Sequence, residues 1–388
     1  MTEDNRERSA HYVNPAPFDA HSIEALTEEQ ERYYSASQWQ IMWWKLKRHK
    51  LAVWSAVVLF FLYLTVPFAE VIAPYEANTR DNENLYAPPQ AIHLFHDGDF
   101  VGPFVYGTRG TVDLEILKWN YVEDRTKVYP IRFFCQGDTY SFWGLFDASF
   151  HLMCPAEGGT LYLLGTDRLG RDLLSGIVYG ARLSLTIGLV GVTIGLVLGL
   201  FFGGIAGYFG GLIDSAVQRM IEILRSLPEL PLWMALSAAL PVTWSPIKIY
   251  FGITVILGLL DWPGLARAVR SKLLALREEE YAKAAVLMGA KPGRVIRKHL
   301  LPGFASHVIA SVTLSIPSMI LGETALSFLD LGLRRPAVSW GVLLNEAQNL
   351  TVVTIYPWLM APVIPVIIVV LAFNFLGDGL RDAADPYK

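Results

Sequence analysis

Ionisable residues inside apolar surroundings are where this 388-residue chain could do chemistry. Arg219, Glu222 and Arg225 recur every three residues, which on a helix gathers them on one side. Asp261 and Glu323 stand within otherwise apolar runs. Charges in such places are costly and usually face a bundle interior, a partner charge or water. Arg219, Glu222 and Glu323 are therefore expected either to line or gate a path for solute, or to serve structure near the ends of spans. For Glu323 a structural or gating role ranks ahead of a role in specificity. Other chemistry lacks its residues. His93, His96 and His151 show no metal-ligand spacing and read as surface histidines. No Ser/His/Asp arrangement or carboxylate pair falls at one depth, and no G-x-x-x-x-G-K-[ST] phosphate loop occurs. No catalytic residue, cofactor or metal is expected on the chain itself. The only cysteines, Cys135 and Cys154, can close a disulfide in an oxidising compartment or stay two thiols, because spacing alone does not set their distance.

The elements that must position these residues are membrane spans. The chain is 53% hydrophobic and 18% charged, with a mean hydropathy of +0.35, which is more apolar and less charged than an ordinary soluble domain. Its apolar residues cluster into stretches near the roughly 20 residues a helix needs to cross a bilayer. They run over 51–72, 183–208, 213–240, 249–266, 304–329 and 350–376, so the expected fold is an all-α membrane protein with six transmembrane helices. Pro228, Pro231, Pro241 and Pro263 interrupt or flank the third and fourth. Lys45, Lys47, Arg48 and Lys50 precede the first span, and a dense set of Lys and Arg follows the fourth, so both regions are expected on the cytoplasmic side, with both termini.

The expected organisation follows. Residues 1–50 form a cytoplasmic segment, with a short helix capped by Thr27 and Gln30 and an interfacial belt at Trp39, Trp43 and Trp44. Residues 51–72 are the first span. Residues 73–182 are an external, partly β-rich insertion ending in an amphipathic helix, with Thr166 as its cap and Leu169, Leu173, Leu174 and Ile177 on one face. Residues 183–388 hold five spans and a polar loop over 267–302. Gly176, Gly180, Gly188, Gly191, Gly195 and Gly199 in and before the second span allow close helix packing.

Within the polar loop, "EEEYAKAAVLMGAKPGRVIRKHLLP" reads as a helix–turn–helix knuckle. Glu280, Ala284 and Met288 share one face, Gly289 stops the first helix, and Pro302 ends the second. Ala282, Ala284 and Ala285 would let another surface approach closely. On these grounds alone the knuckle is a coupling element or a basic pair of helices held on anionic lipid.

The stretch resembles the cytoplasmic loop of ATP-binding-cassette importer permeases, in which a Glu, an alanine pair, a Gly and a terminal Leu-Pro recur. Here these fall on Glu280, Ala284 and Ala285, Gly289, and Leu301-Pro302. "LLGTDRLGRDLLSGIVYGARLSL", "ETALSFLDLGL" followed by "SWG", and "GDGLRDAADP" are similar to segments of the dipeptide, oligopeptide and nickel branch. Asp330 stands where that branch usually has a small residue. The resemblance implies a type I importer permease fold and a subunit that forms half of a translocation path. It implies a homologous second permease, two ATPase subunits that bind ATP and Mg, and a periplasmic solute-binding protein as partners, all at a bacterial inner membrane and with no nucleic acid. Solutes of the branch include dipeptides, oligopeptides, nickel chelates, sugars and opine-like compounds. The competing class is an ion-coupled secondary carrier acting alone, which would show inverted repeats and midplane charges.

Overall fold

The computed structural model describes residues 35–113, 118–241 and 243–384. The helix expected around Thr27 and Gln30 lies outside them. The first described helix, α1 (Gln38–Arg48), opens on a capping box in which Ser37 Oγ accepts Gln40 N–H and Gln40 Oε1 accepts Ser37 N–H. Helix α2 (Lys50–Thr65) follows at a 97° bend. His49 sits at the corner, where its Nδ1 accepts the Ala52 N–H at 3.2 Å. A short α3 (Ala69–Ile72) ends this arm.

The insertion is β-rich, as its alternating pattern predicts. Strands β1 (His93–His96), β2 (Asp99–Asp113) and β3 (Lys118–Pro130) form one antiparallel sheet, and β4 (Arg132–Phe142) and β5 (Phe146–Cys154) a second. Cys135 and Cys154 join the second pair through a disulfide. His151 corrects the expectation of surface histidines. It is buried, with Nδ1 2.8 Å from the Ala73 carbonyl and Nε2 3.0 Å from that of Asp138, so it ties the insertion to the end of the first apolar arm. Both partners are acceptors, so the neutral ring, with its single N–H, donates to one of the two carbonyls and lies beside the other.

Four long elements carry the core. Helix α4 (Leu173–Phe209) has 37 residues, α5 (Gly211–Ser226) and α6 (Glu229–Ala238) are short, and α7 (Pro246–Leu276) has 31. Helix α4 packs along α7 through glycines spaced by four. Cβ atoms added at Gly199, Gly203 and Gly207 would lie 2.9 Å from Leu265, 2.5 Å from the Ala266 carbonyl and 2.8 Å from Leu273. Without side chains there the two backbones close to contact, the small-residue packing expected for helices in lipid. The same helix meets α10 (Ala305–Phe328) at Gly188 and α11 (Trp340–Asn345) at Gly176 and Gly180. Between α7 and α10 lie α8 (Glu280–Leu287) and the single turn α9 (Pro292–Arg294). Helix α12 (Leu350–Ile355) and α13 (Val363–Ala384) close the chain.

Several expected boundaries move. The third stretch is not one helix but α5 and α6, broken where Pro228 holds Leu227 extended at ψ 140°. By length and composition four described helices can cross a membrane, or five when the bent α1–α2 pair is taken as one span. The separate amphipathic helix after Thr166 is absent. Thr166 instead clamps the segment that follows α3, with Oγ1 donating to the Asn84 carbonyl and accepting Ala87 N–H. Asp172 is the cap, and Leu173, Leu174 and Ile177 belong to the first turns of α4, which at about 55 Å is longer than a bilayer is thick. The polar loop also starts later than residue 267, because α7 stays helical to Leu276.

Asp330 falls just past the end of α10, at φ +61°. Its N–H bonds the Ser327 carbonyl while Leu331 N–H bonds that of Leu326, the Schellman pattern in which glycine is favoured. Arg334 partly compensates with a 3.0 Å ion pair on the surface. Asp330→Gly is expected to raise stability by about 0.5–1 kcal/mol, read as a higher melting temperature in detergent. A lower value would mean that the Arg334 pair outweighs the backbone term.

Candidate functional site

The knuckle is a rigid cap on the end of α7. Ala282 and Ala285 are buried with Val269, Leu273, Val295, Leu300 and Phe304 in one apolar cluster. Arg277 fixes the base, with Nη1 3.1 Å from the Tyr208 carbonyl near the end of α4. Gly289, at φ +83°, completes a Schellman motif in which Gly289 N–H bonds Val286 O and Ala290 N–H bonds Ala285 O. The alanine pair is therefore divided. Ala285 faces its own core and cannot offer a thin wall to a partner, while Ala284 is exposed beside Glu280. The outward surface is apolar: Leu287 is 88% and Met288 81% exposed, next to exposed Tyr281 and Val286. Leu301 is half-buried and Pro302 exposed. Pro302 does not end the second arm. A π-helical turn over Val295–Leu300 and a 3-10 turn over Leu301–Phe304 re-route the backbone around its missing donor, and the arm continues into α10.

Farther along the same helix is a polar cavity of about 260 Å³. Leu260, Asp261, Gly264, Leu265 and Ala268 of α7 line it, with Gly195 of α4, Arg225 and Glu229 at the α5–α6 break, and Ser311 and Ser315 of α10. Gly195 is small where it must be, since a Cβ there would lie 3.3 Å from the Asp261 carboxyl. A carboxylate, a second carboxylate, a guanidinium and two hydroxyls on apolar walls can hold water or exchange hydrogen bonds with a polar solute.

The expected path residues lie elsewhere. Arg219 and Glu222 pair with each other at 3.1 Å on an exposed face, 77% and 57% accessible, and do not line this cavity. Glu323 is fully buried. Its carboxyl accepts Ser339 Oγ at 2.6 Å, Ser327 Oγ at 2.7 Å and Ser184 Oγ at 3.3 Å. Each of those hydroxyls in turn accepts a backbone N–H, from Val342, Leu333 and Trp340 respectively. Glu229 and Asp261 carried no assigned role in the sequence. The available signal was one carboxylate alone in the apolar run of α7.

The "GTDRLGRD" stretch is a clasp. Asp167 accepts the Leu169 and Arg171 N–H groups and the Arg171 guanidinium, which also reaches Glu346 at 2.5 Å. Gly170, at φ +71°, passes so close to Asp81 that a Cβ would lie 1.8 Å from its carbonyl oxygen. Asp172 accepts Ser175 N–H at 2.7 Å and Ser175 Oγ at 2.6 Å. Burial nevertheless pushes its carboxyl up to about 6, against those hydrogen bonds. A free carboxyl titrates near 3.9, so between about pH 6 and about pH 4 the folded chain holds a proton that the unfolded chain lacks. Stability from this group therefore rises as pH falls through that window. Relative to Asp172→Asn, the wild type is expected to gain roughly 1 kcal/mol, about 2–4 °C in melting temperature, between about pH 7 and about pH 5. A pH-independent difference would contradict the raised carboxyl.

Residues 195–387 match the family of binding-protein-dependent transport system inner membrane components, and residues 37–89 match the N-terminal transmembrane domain of oligopeptide transport permease C. The dipeptide transport system permease protein DppC of Bacillus subtilis (strain 168) is 40% identical over 223 residues, 57% of this chain and 68% of that protein. The oligopeptide transport system permease protein OppC of Haemophilus influenzae is 38% identical over 244 residues, 62% of this chain and 75% of that one. A solved chain of the inward-facing MetNI methionine ABC transporter shares 21% identity at a TM-score of 0.42, over 54% of this chain and 97% of its own. The chain belongs to the family of binding-protein-dependent transport system inner membrane components. It is a transport permease subunit, built of apolar helices that cross the membrane, and not the ATPase of its system.

Proposed function

We propose that this permease forms half of the translocation path of an ATP-driven importer for peptides or similar small solutes. Its partners are a homologous second permease, two ATPase subunits that bind ATP and Mg, and a periplasmic solute-binding protein. The chain crosses a bacterial inner membrane six times in the type I importer arrangement, the third crossing made by the broken α5–α6 pair. Both termini and the knuckle are cytoplasmic, and the insertion is periplasmic. One observation carries the reading: a single helix, α7, lines the polar cavity with residues up to Ala268 and ends at Leu276 under the knuckle. Those eight residues span about 12 Å of rigid helix, so a push on the exposed Leu287–Met288 tip is delivered to Asp261 and its neighbours. ATPase subunits that bind the tip differently in two states shift the path between two openings. Asp261, Arg225 and Glu229 line that path, and Glu323 holds the outer end of the bundle in register.

The test is reconstitution. With its partner proteins in vesicles, the chain should take up labelled dipeptide only with ATP and the solute-binding protein present. Uptake by this chain alone, driven by an ion gradient, would replace the proposal with a secondary carrier. The orientation is tested through Cys135 and Cys154. After mild reduction, an impermeant maleimide should label Cys135, the more accessible of the two, in intact spheroplasts, and labelling confined to inverted vesicles would reverse the topology.

A further inference from the structure

The transport reading leaves the α1 corner unused, and this corner has the form of a lipid site. Helix α1 stands at 97° to α2, so if α2 crosses the bilayer, α1 lies in the plane of its surface. Its residues sort accordingly. Trp39 and Trp43 are half-exposed, indoles being the side chains that gather at membrane boundaries, and Leu51 and Trp54 beyond the corner continue an exposed apolar surface along α2. Lys45, Lys47 and Arg48 crowd the last turn.

Between α1 and the end of α13 is a cavity of about 420 Å³. Ile41, Trp44, Gly379 and Ala383 make an apolar wall, while Lys45, Arg48, His49 and Asp382 surround it with polar groups. The His49 ring is oriented by its Nδ1, which accepts the Ala52 N–H, so the neutral ring carries its proton on Nε2 as a donor. Two cations and a donor stand against one carboxylate. Lys47 takes no part, because its ammonium lies over the Trp43 ring at 5.2 Å.

We infer that this cavity binds one anionic phospholipid, its phosphodiester held by Arg48, Lys45 and His49 and an acyl chain laid along Ile41 and Trp44. A soluble phosphate meets the cations but has nothing for the apolar wall, whereas a zwitterionic lipid fills the wall and brings an extra positive charge to the cations. The observations thus favour a lipid over either partial match, and basic pockets beside transmembrane helices recognise lipid headgroups by this combination. Assignment to the cytoplasmic leaflet rests on the orientation proposed above; the site itself does not.

The experiment uses the assembled transporter in detergent, with neither ATP nor solute, so its outcome is independent of the transport assay. Dioleoyl phosphatidylglycerol is titrated and counted by native mass spectrometry, with dioleoyl phosphatidylcholine as the zwitterionic match. One phosphatidylglycerol should be retained in preference to phosphatidylcholine. The double variant Lys45→Gln/Arg48→Gln should bind it about 30-fold more weakly, at roughly 1 kcal/mol per charge, and Arg48→Gln alone about fivefold more weakly. Arg48→Lys should restore most of the affinity, and Lys47→Gln should leave it unchanged. If the double variant fails to assemble, the single variant and its lysine rescue decide. Equal retention of the two lipids, or undiminished binding by Arg48→Gln, overturns the site. Displacement by glycerol 3-phosphate at matched concentration overturns the lipid assignment in favour of a soluble phosphate ligand.

Discussion

Leu287→Glu combined with Met288→Glu is expected to abolish ATP-coupled uptake while leaving the permease folded and inserted. These are the two most exposed large apolar side chains of the knuckle, 88% and 81% accessible, on a helix whose other face is packed. Nothing in the fold needs them to be apolar. Central apolar anchors of an interface are worth about 2–4 kcal/mol each, and the loss of one already weakens association by about 30-fold or more. The ATPase should no longer co-purify, and the melting temperature of the isolated permease should stay within a degree or so of wild type. Ala285→Trp provides the contrast. Because Ala285 is 2% exposed inside the cluster under the knuckle, the indole overpacks the core and costs about 1–3 kcal/mol of stability before any partner is involved. Gly289→Pro likewise acts through the fold, since it removes the N–H that bonds Val286 and cannot take φ +83°. Normal uptake and normal co-purification by the double glutamate variant would place the coupling surface elsewhere. They would return the knuckle to the reading of a basic element resting on lipid.

Much of this architecture was legible where a local rule decides it. Gly289 past the last apolar residue of a short helix announces its stop, and the glycines of α4 announce close packing, because both signals depend on a residue's own size and backbone freedom. Pro228 flagged the break that divides the third stretch. The misreadings share a different cause. In an eight-residue helix the sequence period does not set the phase, so Ala284 and Ala285 could not be told apart until the cluster around Leu273 and Val295 placed one of them inward. The cap falls on Asp172 and not on Thr166, because Asn84 and Ala87, some 80 residues earlier, claim the Thr166 hydroxyl. His151 is buried because the Ala73 carbonyl reaches it across 78 positions. The cavity needs Gly195, Asp261 and Ser315 from three helices together, a coincidence that no single segment encodes.

Glu323→Ala is expected to be among the most damaging single substitutions in the bundle, and to leave the solute profile of any surviving transporter unchanged. The carboxyl is a junction. Ser184 belongs to α4, Ser327 to the last turn of α10, and Ser339 to the segment that starts α11. All three hydroxyls donate to Glu323 and accept N–H groups from the chain around residues 333–342, so one side chain sets the register of three elements. Alanine removes every acceptor at once, strands three buried hydroxyls and opens a void. Each buried hydroxyl left without its acceptor costs about 1–3 kcal/mol, and with three of them the yield of assembled protein falls severely. Glutamine should be milder. It keeps one acceptor oxygen but turns the other position into a donor, so one of the three serines must reverse, and Ser184, already the longest contact at 3.3 Å, is the one placed to give way. A loss of roughly 1–3 kcal/mol and a slower uptake rate follow, with acceptance of different peptides in unchanged proportion. Competition assays with the solute-binding protein held constant separate the two roles. A shifted order of preference among competing peptides in Glu323→Gln would make this carboxyl part of a selective site, and its place among three serines would then have to be read as the wall of a path and not as a fastening.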